Sequence, residues 1–86
     1  MPENRVHVEM FSRPGCHLCD EARDVIEEAR TRFAFDFQVV NIDEDSELES
    51  AYGSEIPVVR INGNKAFKYR VSRRELERKL ERLWNL

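Results

Sequence analysis

The sequence is short of the features that define several protein classes. Its two cysteines, Cys16 and Cys19, are too few to build a disulfide-stapled secreted scaffold. No stretch approaches the roughly 18 consecutive apolar residues of a membrane-spanning helix. The first five residues, Met1 to Arg5, lack the apolar core of a signal peptide. Together these absences lead to the expectation of a cytoplasmic protein with no membrane partner. Internal repeats, low-complexity tracts and linker-like stretches are missing too, so residues 1–86 are expected to form one domain. A chain of this size buries only about 60–65% of its unfolded surface, enough for one compact core.

An excess of basic charge is also lacking, since 14 Lys and Arg stand against 17 Asp and Glu. The charge is unevenly spread. Residues 41–50 hold five acids and no base, whereas residues 68–86 hold seven bases against three acids. In the basic stretch Glu75, Glu77 and Glu81 interleave with the arginines, the pattern of a solvated helix face and not of a nucleic-acid patch. No nucleic-acid partner is expected.

What is present is regular patterning. Val6, Val8 and Met10 alternate with His7 and Glu9, as in a strand with one face buried. Pro14-Gly15 breaks it. Leu18, Ala22, Val25, Ile26, Ala29 and Phe33 then follow at spacings of three and four, predicting an amphipathic helix of about four turns. Phe35, Phe37 and Val39 begin a second strand, so the unit reads βαβ, with parallel strands. Residues 43–50 predict a short helix ending near Gly53, with Asp43 placed to cap it. A third strand is expected over residues 56–61 with Pro57 at its start. Asn62-Gly63-Asn64 is a hairpin signal, and residues 65–69 return as the partner strand. Ser72 and Glu75 form a capping box before a last helix carrying Leu76, Leu80, Leu83 and Trp84. The expected class is α/β, in the order β-α-β-(α)-β-β-α, with a four-stranded mixed sheet and helices on both faces.

The two cysteines carry the chemistry. Cys16 follows a strand and a turn and opens a helix, where unpaired N–H groups and the helix dipole favour a thiolate. Arg13, in the same loop, adds a nearby cation. Cys16 is therefore the expected nucleophile, and Cys19, one turn deeper, the resolving thiol. His17, between them, either stabilises the thiolate and aids proton transfer or simply faces solvent on the first helical turn. A rival use of the pair is metal. A structural zinc site generally takes four protein ligands, and one chain offers two cysteines with His17 or His7. That alternative requires two chains bridged by zinc or an iron–sulfur cluster through the same cysteines.

The segment from Phe11 to Asp20, reading F-S-R-P-G-C-H-L-C-D, with Ile56-Pro57-Val58 and Ile61-Asn62-Gly63, resembles the glutaredoxin branch of the thioredoxin superfamily. Within it, the sequence is most similar to the small glutaredoxin-like proteins with a G-C-H-L-C active site. The resemblance covers nearly the whole chain. It implies a thioredoxin fold with strand order 2-1-3-4 and thiol–disulfide oxidoreductase activity in the cytoplasm. It also implies Cys16 as nucleophile, Cys19 as resolving thiol and Pro57 as a cis-proline. Ile56 would then offer its backbone to an extended substrate. Arg13, His17, Ile56 and Pro57 are accordingly the expected substrate-binding residues.

Glutathione-using members carry a Gly-Gly pair followed by acids. Counting from Pro57 places Phe67-Lys68 at that pair, with Arg70, Ser72 and Arg73 where acids are usual. Bulky Phe67 is expected to obstruct the backbone approach that glycine allows. The expected partners are a disulfide-containing protein or low-molecular-weight thiol, and a reductant, either glutathione or a thioredoxin-type reductase. A monomer is expected, with no cofactor and no resident metal.

Overall fold

A computed structural model describes residues 6–84, with only the backbone of Trp84, so the readings of Met1 to Arg5 and of the Trp84 side chain fall outside the described residues. The elements are β1 (His7–Ser12), α1 (His17–Ala29), β2 (Asp36–Asn41), a 3₁₀ turn (Ile42–Glu44), α2 (Ser46–Tyr52), β3 (Val58–Ile61), β4 (Asn64–Lys68) and α3 (Arg73–Trp84). One sheet runs in the order β2-β1-β3-β4. β1 and β2 are parallel, and the other two pairings are antiparallel. This is the mixed sheet and strand order that the resemblance implied.

The alternation in β1 sorts its side chains between two layers. Val8 and Met10 point to the face covered by α1 and α3, where they join Ile26, Val59, Leu76 and Leu80 in the larger core cluster. Phe11 points the other way, into a smaller cluster with Ile42 and Val58 under the 3₁₀ turn and α2. Its ring stacks on Tyr52 with centroids 4.7 Å apart. Fully burying an aliphatic chain such as Ile26 contributes about 1.5–3 kcal/mol, so the larger cluster dominates the stability of the sheet.

Three boundaries differ from the sequence reading. Helix α1 stops at Ala29, leaving Phe33 in the following turn. There the Glu28 carbonyl accepts from both the Thr31 N–H at 3.1 Å and the Thr31 hydroxyl at 2.7 Å, which closes the last turn. The acidic segment is not one helix capped by Asp43. Ile42 is fully buried and draws the chain into the 3₁₀ turn, with the Asn41 side chain accepting from the Asp43 N–H at 2.9 Å. Asp45 then caps α2, accepting from the N–H groups of Glu47 and Leu48 at 2.9 and 3.3 Å. β3 begins at Val58 and not at Ile56, because Pro57 has no N–H to give to a ladder.

The expected hairpin is present, with a loop of Asn62 and Gly63 alone, since Asn64 already pairs with Ile61 in β4, one residue earlier than expected. Asn62 and Gly63 both take positive φ, at 52° and 84°, as the tight turn of a twisted ribbon requires. Between Val59 and Arg60 the β3–β4 register slips by one, leaving Ala66 as a bulge. At the start of α3 the Ser72 hydroxyl accepts from the Glu75 N–H at 3.2 Å, the N-cap half of the expected capping box.

Candidate active site

β1 delivers the chain to one end of the sheet at Ser12, and the Arg13–Gly15 loop turns it into α1. Gly15 makes that turn at φ 80°, where a Cβ would meet no neighbour but would be conformationally strained. Cys16 is left as the N-cap of α1 in an extended conformation. Its Sγ accepts a hydrogen bond from the Cys19 N–H at 3.2 Å. That donor is one of the open N–H groups of the first turn, and it would strengthen toward a thiolate in the same position.

Cys16 and Cys19 are bonded to each other, their Cα atoms 5.2 Å apart. Their environments are unequal. Cys16 is half-buried at the rim, whereas Cys19 is 3% exposed and packs with Ala22 and Ile26 in the core. In this oxidised state neither sulfur offers a thiolate to a metal. Among the described residues, no group of three or more His, Cys, Asp or Glu side chains could hold a metal ion.

Arg13 lines a groove of about 280 Å³ that reaches Cys19 from the β2 side. Its guanidinium is not free beside the thiol, because Nε meets Asp43 at 3.1 Å and Nη2 meets Glu49 at 3.2 Å. The acids of the 3₁₀ turn and α2 thus tether the active-site loop, a role that reading them as a short capped helix did not reveal. His17 has a side chain 87% exposed and pairs with Glu21 one turn along at 3.3 Å, which fits the solvent-facing alternative.

Pro57 joins the site across the sheet. β1 and β3 pair Phe11 with Val58, so continuing the antiparallel register sets Pro57 and Ile56 opposite Ser12 and Arg13. The Ile56–Pro57 peptide is cis. Ile56 packs against the core cluster that Cys16 also touches. Among the described residues no hydrogen bond reaches the Ile56 N–H or C=O. The neighbouring carbonyls of Glu55 and Pro57 both accept from the Tyr69 N–H, at 3.3 and 2.8 Å.

Phe67 does not obstruct this site. The bulge at Ala66 pairs it with Val59 on the core face, where it is 8% exposed. A one-residue slip transfers a side chain to the opposite face, and counting along the strand could not register it. The aromatic that does flank the site is Tyr69, 45% exposed at the end of β4. Beneath it, Glu55 accepts from Lys65 at 2.7 Å. That bond, offset in part by desolvation, holds the Glu55 carboxyl below its ordinary value and raises the Lys65 ammonium above its own.

The glutaredoxin-like domain profile matches residues 7–81. A probable thioredoxin from Methanothermobacter thermautotrophicus is 35% identical over 74 residues, spanning 83% of this chain and 87% of that protein. A structural-genomics target protein from X. campestris, solved by X-ray crystallography, is also 35% identical. It superposes with a TM-score of 0.73, covering 87% of this chain and 96% of its own. A mutant thioredoxin from Halobacterium salinarum superposes at 0.69 over 93% of this chain and 75% of its own. Its identity is 21%, so that likeness is one of fold.

Proposed function

This chain belongs to the glutaredoxin-like domain family, and on that premise we propose that it is a cytoplasmic thiol–disulfide oxidoreductase. It reduces protein or small-molecule disulfides through Cys16 and Cys19. One observation carries the reading: the two cysteines are bonded at the start of α1, one at the rim and the other sealed in the core.

Mechanistically, the reduced Cys16 thiolate attacks one sulfur of a substrate disulfide. A Cys16–substrate mixed disulfide forms, and the other substrate sulfur leaves as a thiolate that takes a proton from water. Cys19 then loses its proton and attacks the Cys16 sulfur, forming the Cys16–Cys19 bond and releasing the second substrate thiol. The substrate gains two electrons and the enzyme dithiol loses them. A reductant, glutathione or a thioredoxin-type reductase, returns them. Hydrogen bonding from the Cys19 N–H favours Cys16 as attacker and as leaving group in the reverse direction. Burial of Cys19 keeps external disulfides from it, so it meets only the adduct on Cys16. Ile56, with its backbone groups open beside Pro57, pairs with the extended substrate chain.

Reduction of a protein disulfide with dithiothreitol as electron donor tests the assignment. Cys16→Ser is expected to abolish turnover. Cys19→Ser is expected to accumulate a mixed disulfide on Cys16, visible by mass spectrometry. Turnover that survives Cys16→Ser would overturn the proposal, as would a metal-loaded dimer that a chelator dissociates and that shows no turnover.

A further inference from the structure

Beside the first turn of α1 lies a slot of about 130 Å³, walled by Leu18, Val25, Val71 and Tyr69, with Glu21 and Arg70 at its edge. Pockets for free small molecules run to about 300–1,000 Å³, so this space suits a single side chain. Its outer wall is held in an unusual way. Tyr69 sits at φ 70°, a left-handed conformation that an aromatic residue rarely adopts. Backbone outliers of this kind concentrate at ligand clamps, where surrounding structure imposes them. Here the constraint is visible, since the Tyr69 N–H is fixed on the Pro57 carbonyl at 2.8 Å. The same bond that ties the loop to the proline turns the ring outward over the slot.

Two cations flank the ring, each in a long pair with an acid, Lys68 with Glu55 at 3.7 Å and Arg70 with Glu21. Lys68 Nζ lies 5.6 Å from the Tyr69 ring centroid. The Arg70 side chain is 77% exposed and meets Glu21 only at 4.0 Å, a long contact that leaves its guanidinium fork open to a second carboxylate. Leu18 lies between Cys16 and Cys19 in the first turn of α1, so the slot lies beside the turn that carries the cysteine pair.

Resting on the oxidoreductase reading above, we propose that this slot is a side-chain subsite for an oxidised polypeptide. It takes an apolar residue adjacent to the substrate's half-cystine, and Arg70 takes a carboxylate one residue further on. Tyr69 is the residue that sets this preference. Glutathione fills only part of this subsite, because its glycine carboxylate can meet Arg70 but it offers no apolar side chain to the slot.

Three disulfides test it under dithiothreitol recycling: a peptide dimer with Leu-Glu following its cysteine, the same dimer with Gly-Lys, and glutathione disulfide. Wild type is expected to favour the Leu-Glu peptide over the Gly-Lys peptide by about tenfold or more in kcat/KM, expressed mainly in KM. Tyr69→Ala and Tyr69→Gly, each checked for folding by its thermal transition, are both expected to erase that preference. The glycine variant relieves the backbone while the alanine variant does not, so agreement between them assigns the effect to the ring. Equal rates for the two peptides, a preference surviving in either variant, or glutathione disulfide outpacing the Leu-Glu peptide would overturn the slot alone. Failure of the wild type to reduce any of the three would overturn the oxidoreductase reading and the slot with it.

Discussion

At the scale of single residues, the site is made by unequal treatment of two identical side chains. Cys16 is the N-cap of α1 and receives an N–H on its sulfur, whereas Cys19 is packed among Ala22 and Ile26. Position relative to the helix end was readable from Pro14-Gly15 followed by the apolar stripe, and so were the expected roles of the pair. The partners of Arg13 were not readable, because Asp43 and Glu49 lie 30 and 36 residues away and only the fold brings them near. Phe67 and Tyr69 show the same limit, since the bulge at Ala66 sets Phe67 on the core face and the positive φ of Tyr69 turns its ring away from it. The Glu55–Lys65 pair gives a pH signature with a definite sign. Glu55 has a folded pKa below its unfolded value, so its contribution is complete above the unfolded value and lost as pH falls through the folded one. Lys65 has a raised folded pKa, so its contribution holds at neutral pH and is lost in strong alkali as pH rises through that value. NMR titration should show a Glu55 midpoint below 4.5 that returns toward that value in Lys65→Met.

At the scale of elements, the chain follows its local signals where turn chemistry is unambiguous. Asn62-Gly63 is such a case, because both residues adopt the positive φ of a two-residue hairpin loop. A Cβ at Gly63 would meet nothing beyond its chain neighbours within 4 Å, so replacing it tests backbone conformation. Gly63→Ala is expected to cost about 1–2 kcal/mol, the penalty of a side chain in the left-handed region. Chemical denaturation should show this as a lower midpoint with an unchanged slope. The acidic segment shows where such signals mislead. Asp43 and Asp45 are equally good caps by composition, and the burial of Ile42 between them and β2 decides in favour of Asp45.

At the scale of the whole molecule, the uneven charge acquires a geometry. The acidic 3₁₀ turn and α2 hold the loop before Cys16 through Arg13, and the basic residues after β4 flank the turn after it through Arg70. The candidate site therefore lies between an acidic and a basic flank, both built from segments remote in sequence. The parallel β1–β2 pair and the antiparallel β3–β4 pair were legible, because the helix between β1 and β2 demands the first and the Asn-Gly turn the second, whereas the β1–β3 pairing that completes the order was implied by the family resemblance alone. The family profile over residues 7–81 agrees with that architecture. What the fold adds is the meeting of three loops, after β1, before β3 and after β4, at one end of the sheet.

The central claim is that Cys16 and Cys19 cycle between dithiol and disulfide. Equilibrating purified, metal-free protein against dithiothreitol and glutathione buffers, and counting free thiols, measures this directly. The account predicts one two-electron transition between roughly −280 and −180 mV, the range of working dithiol oxidoreductases. A pair that stays as two free thiols in every buffer would contradict it.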